Sequence, residues 1–172
     1  MDVEQRVREL MSSLTTDACV KLFQDYHVTV SPDGLGGSQA DGMLYCGIVG
    51  FTGNGIRGSL VLSASQGPLE GSNPVRAASQ RDWTAELSNQ LAGRVKNQLL
   101  PYQVDIAIST PVVLRGEHIF LEARSGLQPL VFDAPGGSIT VWIDVELIEG
   151  FEICFERDES QAAVSEGEAL LF

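Results

Sequence analysis

The sequence is poor in positive charge. Eleven Lys and Arg stand against 23 Asp and Glu in 172 residues, for a net charge of −12. Such a chain repels phosphate backbones and anionic headgroups instead of releasing counterions from them. Neither nucleic acid nor a membrane surface is therefore expected as a partner. Apolar runs of the roughly 18–20 residues needed to cross a bilayer are also missing. Met1-Asp2-Val3-Glu4 is acidic and no apolar stretch follows it, so a secretory leader is not expected and the cytoplasm is the expected compartment. Histidine is scarce: His27 and His118 have no Cys or carboxylate at metal-ligand spacing. Cys19, Cys46 and Cys154 are odd in number, far apart and without a Cys-x-x-Cys pair. They read as small buried hydrophobes in a reducing compartment, not as a disulfide framework or a zinc site. No metal or cofactor is expected in this chain.

What is present is the composition of one soluble domain, 44% hydrophobic and 20% charged. Residues 149–172 hold seven acids and one base. They read as an acidic C-terminal tail after a domain spanning 1–148. Val3, Val7, Leu10, Met11 and Leu14 recur at helical spacing, and Thr15-Thr16-Asp17 offers N-cap chemistry for a continuation through Phe23. Val28-Thr29-Val30 reads as a short strand and 31–42 as a loop. Its Asp33-Gly34-Leu35-Gly36-Gly37 lacks the Lys-Ser/Thr of a phosphate-binding loop. Met43–Phe51 and Ile56–Ser63 form a hairpin around Thr52-Gly53-Asn54-Gly55. Residues 67–74 read as a second loop, broken by Gly67-Pro68 and Asn73-Pro74. A long helix spans about 79–99 and stops before Pro101. Strand-like runs follow at 102–109, 127–133 and 138–148, the last two joined by a turn at Asp133–Gly137. Hairpins in sequence with a few helices among them imply an α+β fold, mainly an antiparallel sheet packed with long helices. Regular βαβ alternation is absent.

The helix at 79–99 is the informative element. Projected at about 100° per residue from Glu86, it places Ala85, Leu87, Leu91, Ala92, Val95 and Leu99 on one broad apolar face. The opposite arc carries Asp82, Glu86, Asn89, Gln90, Gly93, Arg94, Lys96 and Asn97, with Trp83 near about 60° on the same side. Glu86 and Asn89, three residues apart, project together from adjacent turns. Gly93 costs about 1 kcal/mol against alanine in a helix and leaves the surface bare, open to another backbone. Neither that glycine nor a tryptophan is what a merely solvated face requires.

Asp82-Trp83-Thr84-Ala85-Glu86-Leu87-Ser88-Asn89-Gln90-Leu91-Ala92-Gly93-Arg94-Val95-Lys96-Asn97-Gln98-Leu99 resembles the signature helix of the CheC/CheX chemotaxis phosphatases, CheX most closely. The Gly-punctuated hairpin 47–62, the run Ser109-Thr110-Pro111-Val112-Val113-Leu114-Arg115-Gly116 and the closing hairpin 130–147 are similar to the family's elements in the same order. The likeness covers roughly 17–148. It implies a CheC-like/CheX-like fold and hydrolysis of the aspartyl phosphate on a CheY-type response-regulator receiver, in chemotaxis or related two-component signalling.

Matched to the family's Glu-x-x-Asn motif, Asn89 would orient the attacking water and Glu86 would pair with a receiver lysine. The catalytic magnesium would belong to the receiver. Gly93, Trp83 and Gln90 are expected on the partner-binding surface. One motif, not two, fits CheX, and a homodimer is implied. The rival readings are a receiver-binding module without catalysis and a scaffold with no receiver partner.

Overall fold

The computed structural model describes residues 2–33, 42–75, 77, 79–119 and 127–161. Helix α1 (Val3–Asp25) opens the chain, capped by Asp2, whose side chain accepts from the Gln5 N–H at 2.8 Å. It runs without a break through the Thr15–Asp17 segment read above as a new N-cap. Val7, Met11, Thr15, Ala18 and Leu22 form one uninterrupted buried stripe, so nothing in the packing calls for a second start.

Among the described residues seven antiparallel strands form a single sheet: β1 (Ser31–Asp33), β2 (Met43–Gly53), β3 (Ile56–Ser65), β4 (Ile106–Ile108), β5 (Val112–Glu117), β6 (Leu130–Ala134) and β7 (Gly137–Leu147). The order is β1-β6-β7-β3-β2-β4, and β5 pairs with β2 as well. The hairpin β2–β3 turns at Asn54-Gly55, with Gly55 at φ +72°. The hairpin β6–β7 turns at Pro135-Gly136, where Pro supplies its fixed φ and Gly136 the positive one, +80°.

Three expectations shift in detail. The first strand falls on 31–33 and not on 28–30. Pro32, which has no N–H to donate, is tolerated because β1 is an edge strand. Residues 67–74 were read as a loop, but α2 (Gln66–Ser72) occupies most of them, since Pro68 sits in the first turn where its missing N–H goes unused. The strand expected over 102–109 shrinks to β4, because Leu100–Tyr102 forms a 3-10 turn and Gln103 takes a left-handed conformation.

One face of the sheet is covered by α1, α2 and α3 (Gln80–Leu99), and the core lies between them. Leu60, Leu62 and Ala64 of β3 and Ile139, Val141, Ile143 and Val145 of β7 alternate onto this buried face. Residues 149–161 continue along the domain. The Ile148 N–H donates to Gly55 O, the Cys154 N–H to Tyr102 O and the Asp158 N–H to Pro101 O. Phe151, Ile153 and Phe155 pack against the core, and the Arg6 guanidinium lies over the Phe155 ring. Packing thus extends past 148, while residues 162–172 of the acidic tail lie outside the described residues, as does most of the Gly-rich run from Gly34. No helix among the described residues is long and apolar enough to cross a membrane.

Candidate functional site

Helix α3 begins at Ser79, whose hydroxyl accepts from the Asp82 N–H at 3.1 Å. Its buried side chains are Trp83, Thr84, Leu87, Ser88, Leu91, Ala92, Val95 and Leu99. That leaves Asp82, Glu86 and Asn89, spaced four and three residues apart, exposed on one stripe. The stripe forms one wall of an open groove of about 430 Å³. The other wall is the corner between β4 and β5, Ser109-Thr110-Pro111, with Ile108 beneath it.

The corner is held by β2. The Ser109 N–H donates to Gly50 O at 2.8 Å, and the Gly50 N–H donates to Ser109 Oγ at 2.9 Å. Strand β2 also fixes the helix. Gly47 leaves room for Ser88, which buries its hydroxyl and donates to Thr84 O at 2.7 Å. Both walls of the groove therefore hang on the same strand.

Within the groove Glu86 and Asn89 differ. Glu86 Oε1 accepts from Gln90 Nε2 at 2.7 Å. The Asn89 amide has no hydrogen-bond partner among the described residues. It therefore offers two donors and an acceptor to whatever enters. The Ser109 hydroxyl donates to Thr110 O at 3.2 Å and accepts from Gly50, so it is engaged. No group of three or more His, Cys, Asp or Glu that could hold a metal occurs among the described residues. A larger hollow of about 590 Å³ lies on the opposite sheet face. Its Arg57 and Glu146 are paired with each other at 2.8 and 2.9 Å.

The structure thus brings Glu86 and Asn89 together on the groove, with Gln90 adjoining Glu86. Gly93 is one turn further along, outside the groove, and a Cβ there would meet nothing within 4 Å. Trp83 is placed elsewhere. It is 7% exposed, its indole N–H donates to Ser72 Oγ at 2.9 Å, and the Tyr26 ring stands edge-on to it at 4.8 Å. The expectation that its ring faces a partner is corrected: α1 and α2 close over that side of α3. Asp82, Ser109, Thr110 and Pro111 were not singled out as site residues. Asp82, one turn before Glu86 on the same face, carried a readable signal; the corner carried none beyond the resemblance of its sequence.

Comparison with known proteins follows the same residues. The family model described as chemotaxis phosphatase CheX matches residues 45–134, a range containing all but the first two residues of β2, with β3, α3 and the β4–β5 corner. Among solved structures, chemotaxis protein CheX from Vibrio vulnificus is 19% identical with a TM-score of 0.68, over 81% of this chain and 98% of that one. CheX from Desulfovibrio desulfuricans is 17% identical with a TM-score of 0.64, over 79% and 99%. A CheX–CheY–BeF3–Mg2+ complex from Borrelia burgdorferi contains a chain 19% identical with a TM-score of 0.59, over 78% and 96%. At these identities the likeness is one of fold. No curated protein matches the chain.

Proposed function

The chain belongs to the CheX family of chemotaxis phosphatases, and from that premise we propose that it hydrolyses the aspartyl phosphate of a CheY-type receiver through Asn89 and Glu86. One observation carries the assignment of residues. Asn89 presents an amide without a hydrogen-bond partner among the described residues, beside an exposed carboxylate, on a helix whose opposite face is locked to the sheet.

The chemistry suits such a site. An acyl phosphate is already activated, so hydrolysis needs a water held in line with phosphorus more than it needs a strong base. An amide gives that water one donor and one acceptor and does not titrate near neutral pH. The Glu86 carboxylate meets an ammonium on the receiver, a charge-assisted contact that sets register more than raw affinity. Gln90 lies on the docking surface beside Glu86, and the bare helix surface at Gly93 admits the receiver backbone. The magnesium belongs to the receiver. The Borrelia relative is itself described in complex with CheY.

The test follows decay of a radiolabelled phosphorylated receiver from the same genome, alone, with the protein and with Asn89→Ala. Faster decay with the wild type and none with the variant is expected. Equal acceleration by the variant would remove Asn89 from the mechanism. Binding without acceleration by the wild type would identify a receiver-binding module instead.

The reading extends to a cytoplasmic homodimer. Support comes from the sheet face away from the helices, where Val112, Ile48, Val61 and Trp142 lie side by side across four strands. Val112 is 60% exposed and neighbouring Leu114 47%. Covering this row with a second copy removes apolar surface from water. Light scattering should give twice the chain mass, reduced to one by Val112→Glu with Leu114→Glu; a monomeric wild type would contradict the dimer.

A further inference from the structure

Glu86 does not stand alone on its helix face. Gln90 Nε2 donates to its Oε1 at 2.7 Å and lies 2.9 Å from the Tyr26 hydroxyl, which is also 3.0 Å from Gln90 Oε1. A Gln–Glu pair four residues apart on an exposed helix is by itself weak and interchanges with water. Here the pair is fastened from outside the helix. Tyr26 is the C-cap residue of α1, 64 positions away from Gln90 in sequence. Its ring stands edge-on to buried Trp83, 88° between planes. Trp83 in turn donates to Ser72 Oγ, and the Ser72 hydroxyl is 3.3 Å from Leu69 O. The chain of contacts therefore begins in the core and ends on one oxygen of an exposed carboxylate.

We propose that Tyr26 and Gln90 form a positioning relay that holds the Glu86 carboxylate in one orientation for docking the receiver. Gln90 occupies Oε1, and Oε2 has no protein partner among the described residues, so it is the oxygen offered to an incoming ammonium. A free glutamate loses rotamer freedom on docking, and that loss weakens binding; a carboxylate already held has less to lose. The relay touches neither Asn89 nor the attacking water. It acts on how firmly the receiver is held and not on the chemical step. Tyr26 and Gln90 are positioning residues, and their proposed role rests on the docking role given to Glu86 above.

A double-mutant cycle on the dephosphorylation kinetics tests this. Tyr26→Phe keeps the ring against Trp83 and removes only the hydroxyl. The expected result is a KM for the phosphorylated receiver raised roughly three- to ten-fold with kcat kept. Gln90→Leu should do the same. In a Glu86→Ala background Tyr26→Phe should not raise KM further. If Tyr26→Phe leaves KM unchanged, or raises it equally in both backgrounds, the relay is overturned while docking by Glu86 stands. If Glu86→Ala alone leaves KM unchanged, the docking role fails and the relay fails with it. Thermal unfolding of each variant supplies the control: a merely structural tyrosine would lower the melting temperature and leave KM where it was.

Discussion

Ser88 of α3 packs so closely onto Gly47 of β2 that a Cβ at Gly47 would overlap both side-chain atoms of the serine. The helix that carries Glu86 and Asn89 reaches the sheet only because β2 has no side chain there. Gly47→Ala must push α3 outward or distort β2. The expected cost is about 1–3 kcal/mol, the range for overpacking a filled core, read as a shifted denaturant midpoint. Ser88→Gly should recover part of it by opening the same space. Activity should fall with Gly47→Ala, because the groove wall moves relative to the Ser109–Pro111 corner, which stays fastened to Gly50.

Trp83 gives a contrasting case. Its burial and its bond to Ser72 make it part of the core, so its loss acts on folding. Trp83→Ala should destabilise by about 3–5 kcal/mol, and Trp83→Phe by about 1 kcal/mol through the lost hydrogen bond. Chemical denaturation followed by circular dichroism measures both. Weakened receiver binding with unchanged stability would instead show the indole at the partner surface.

These two residues mark what the sequence could and could not show. Ser79, the apolar stripe and Pro101 delimit α3 locally, so the helix and its exposed pair Glu86 and Asn89 were legible. A helical projection, however, measures angle on one helix and knows nothing of its neighbours. Tyr26 from α1 and Ser72 from α2 widen the buried arc until it includes Trp83. The opposite groove wall depends on β4 and β5 sharing one edge of β2, a register between residues some 60 positions apart that no local pattern encodes. Helix α2 was hidden because Gly and Pro usually break structure, and here Gly67 and Pro68 sit in a helix's first turn. The α1 C-cap at Tyr26 gave no sign that its hydroxyl would reach Gln90.

The cysteines lead to a pH prediction. Burial pushes the Cys19 thiol up to about 12 from an ordinary 9.0, and burial also raises Cys46. Above pH 9 the unfolded chain releases protons that the folded chain keeps. Stability contributed by the buried neutral thiols is therefore complete below that pH and is lost as pH rises toward the folded value. Unfolding free energies measured from pH 8 to 10 should decline, and Cys19→Ala should decline less steeply. A thiol reagent on the native protein should react first at Cys154, the least buried of the three.

The charge on Glu86 should be felt only where the receiver docks. The chain is acidic everywhere, at −12, so a general loss of negative charge would change long-range attraction to any basic partner. A local role must be separated from that background. Glu86→Lys reverses the charge at the groove, next to Asp82, and on the docking role proposed for Glu86 should weaken binding by about ten-fold or more. Glu4→Lys makes the same change on exposed α1, outside the groove, and should leave affinity within about two-fold. Raising the salt concentration should narrow the gap between wild type and Glu86→Gln, since screening weakens a charge-assisted contact at a wet interface. Calorimetric titration of receiver into each variant gives these affinities directly. Equal losses for Glu86→Lys and Glu4→Lys would reduce Glu86 to one acid among many, and docking would then have to be sought in the neutral groove residues, Thr110 and Asn89 among them.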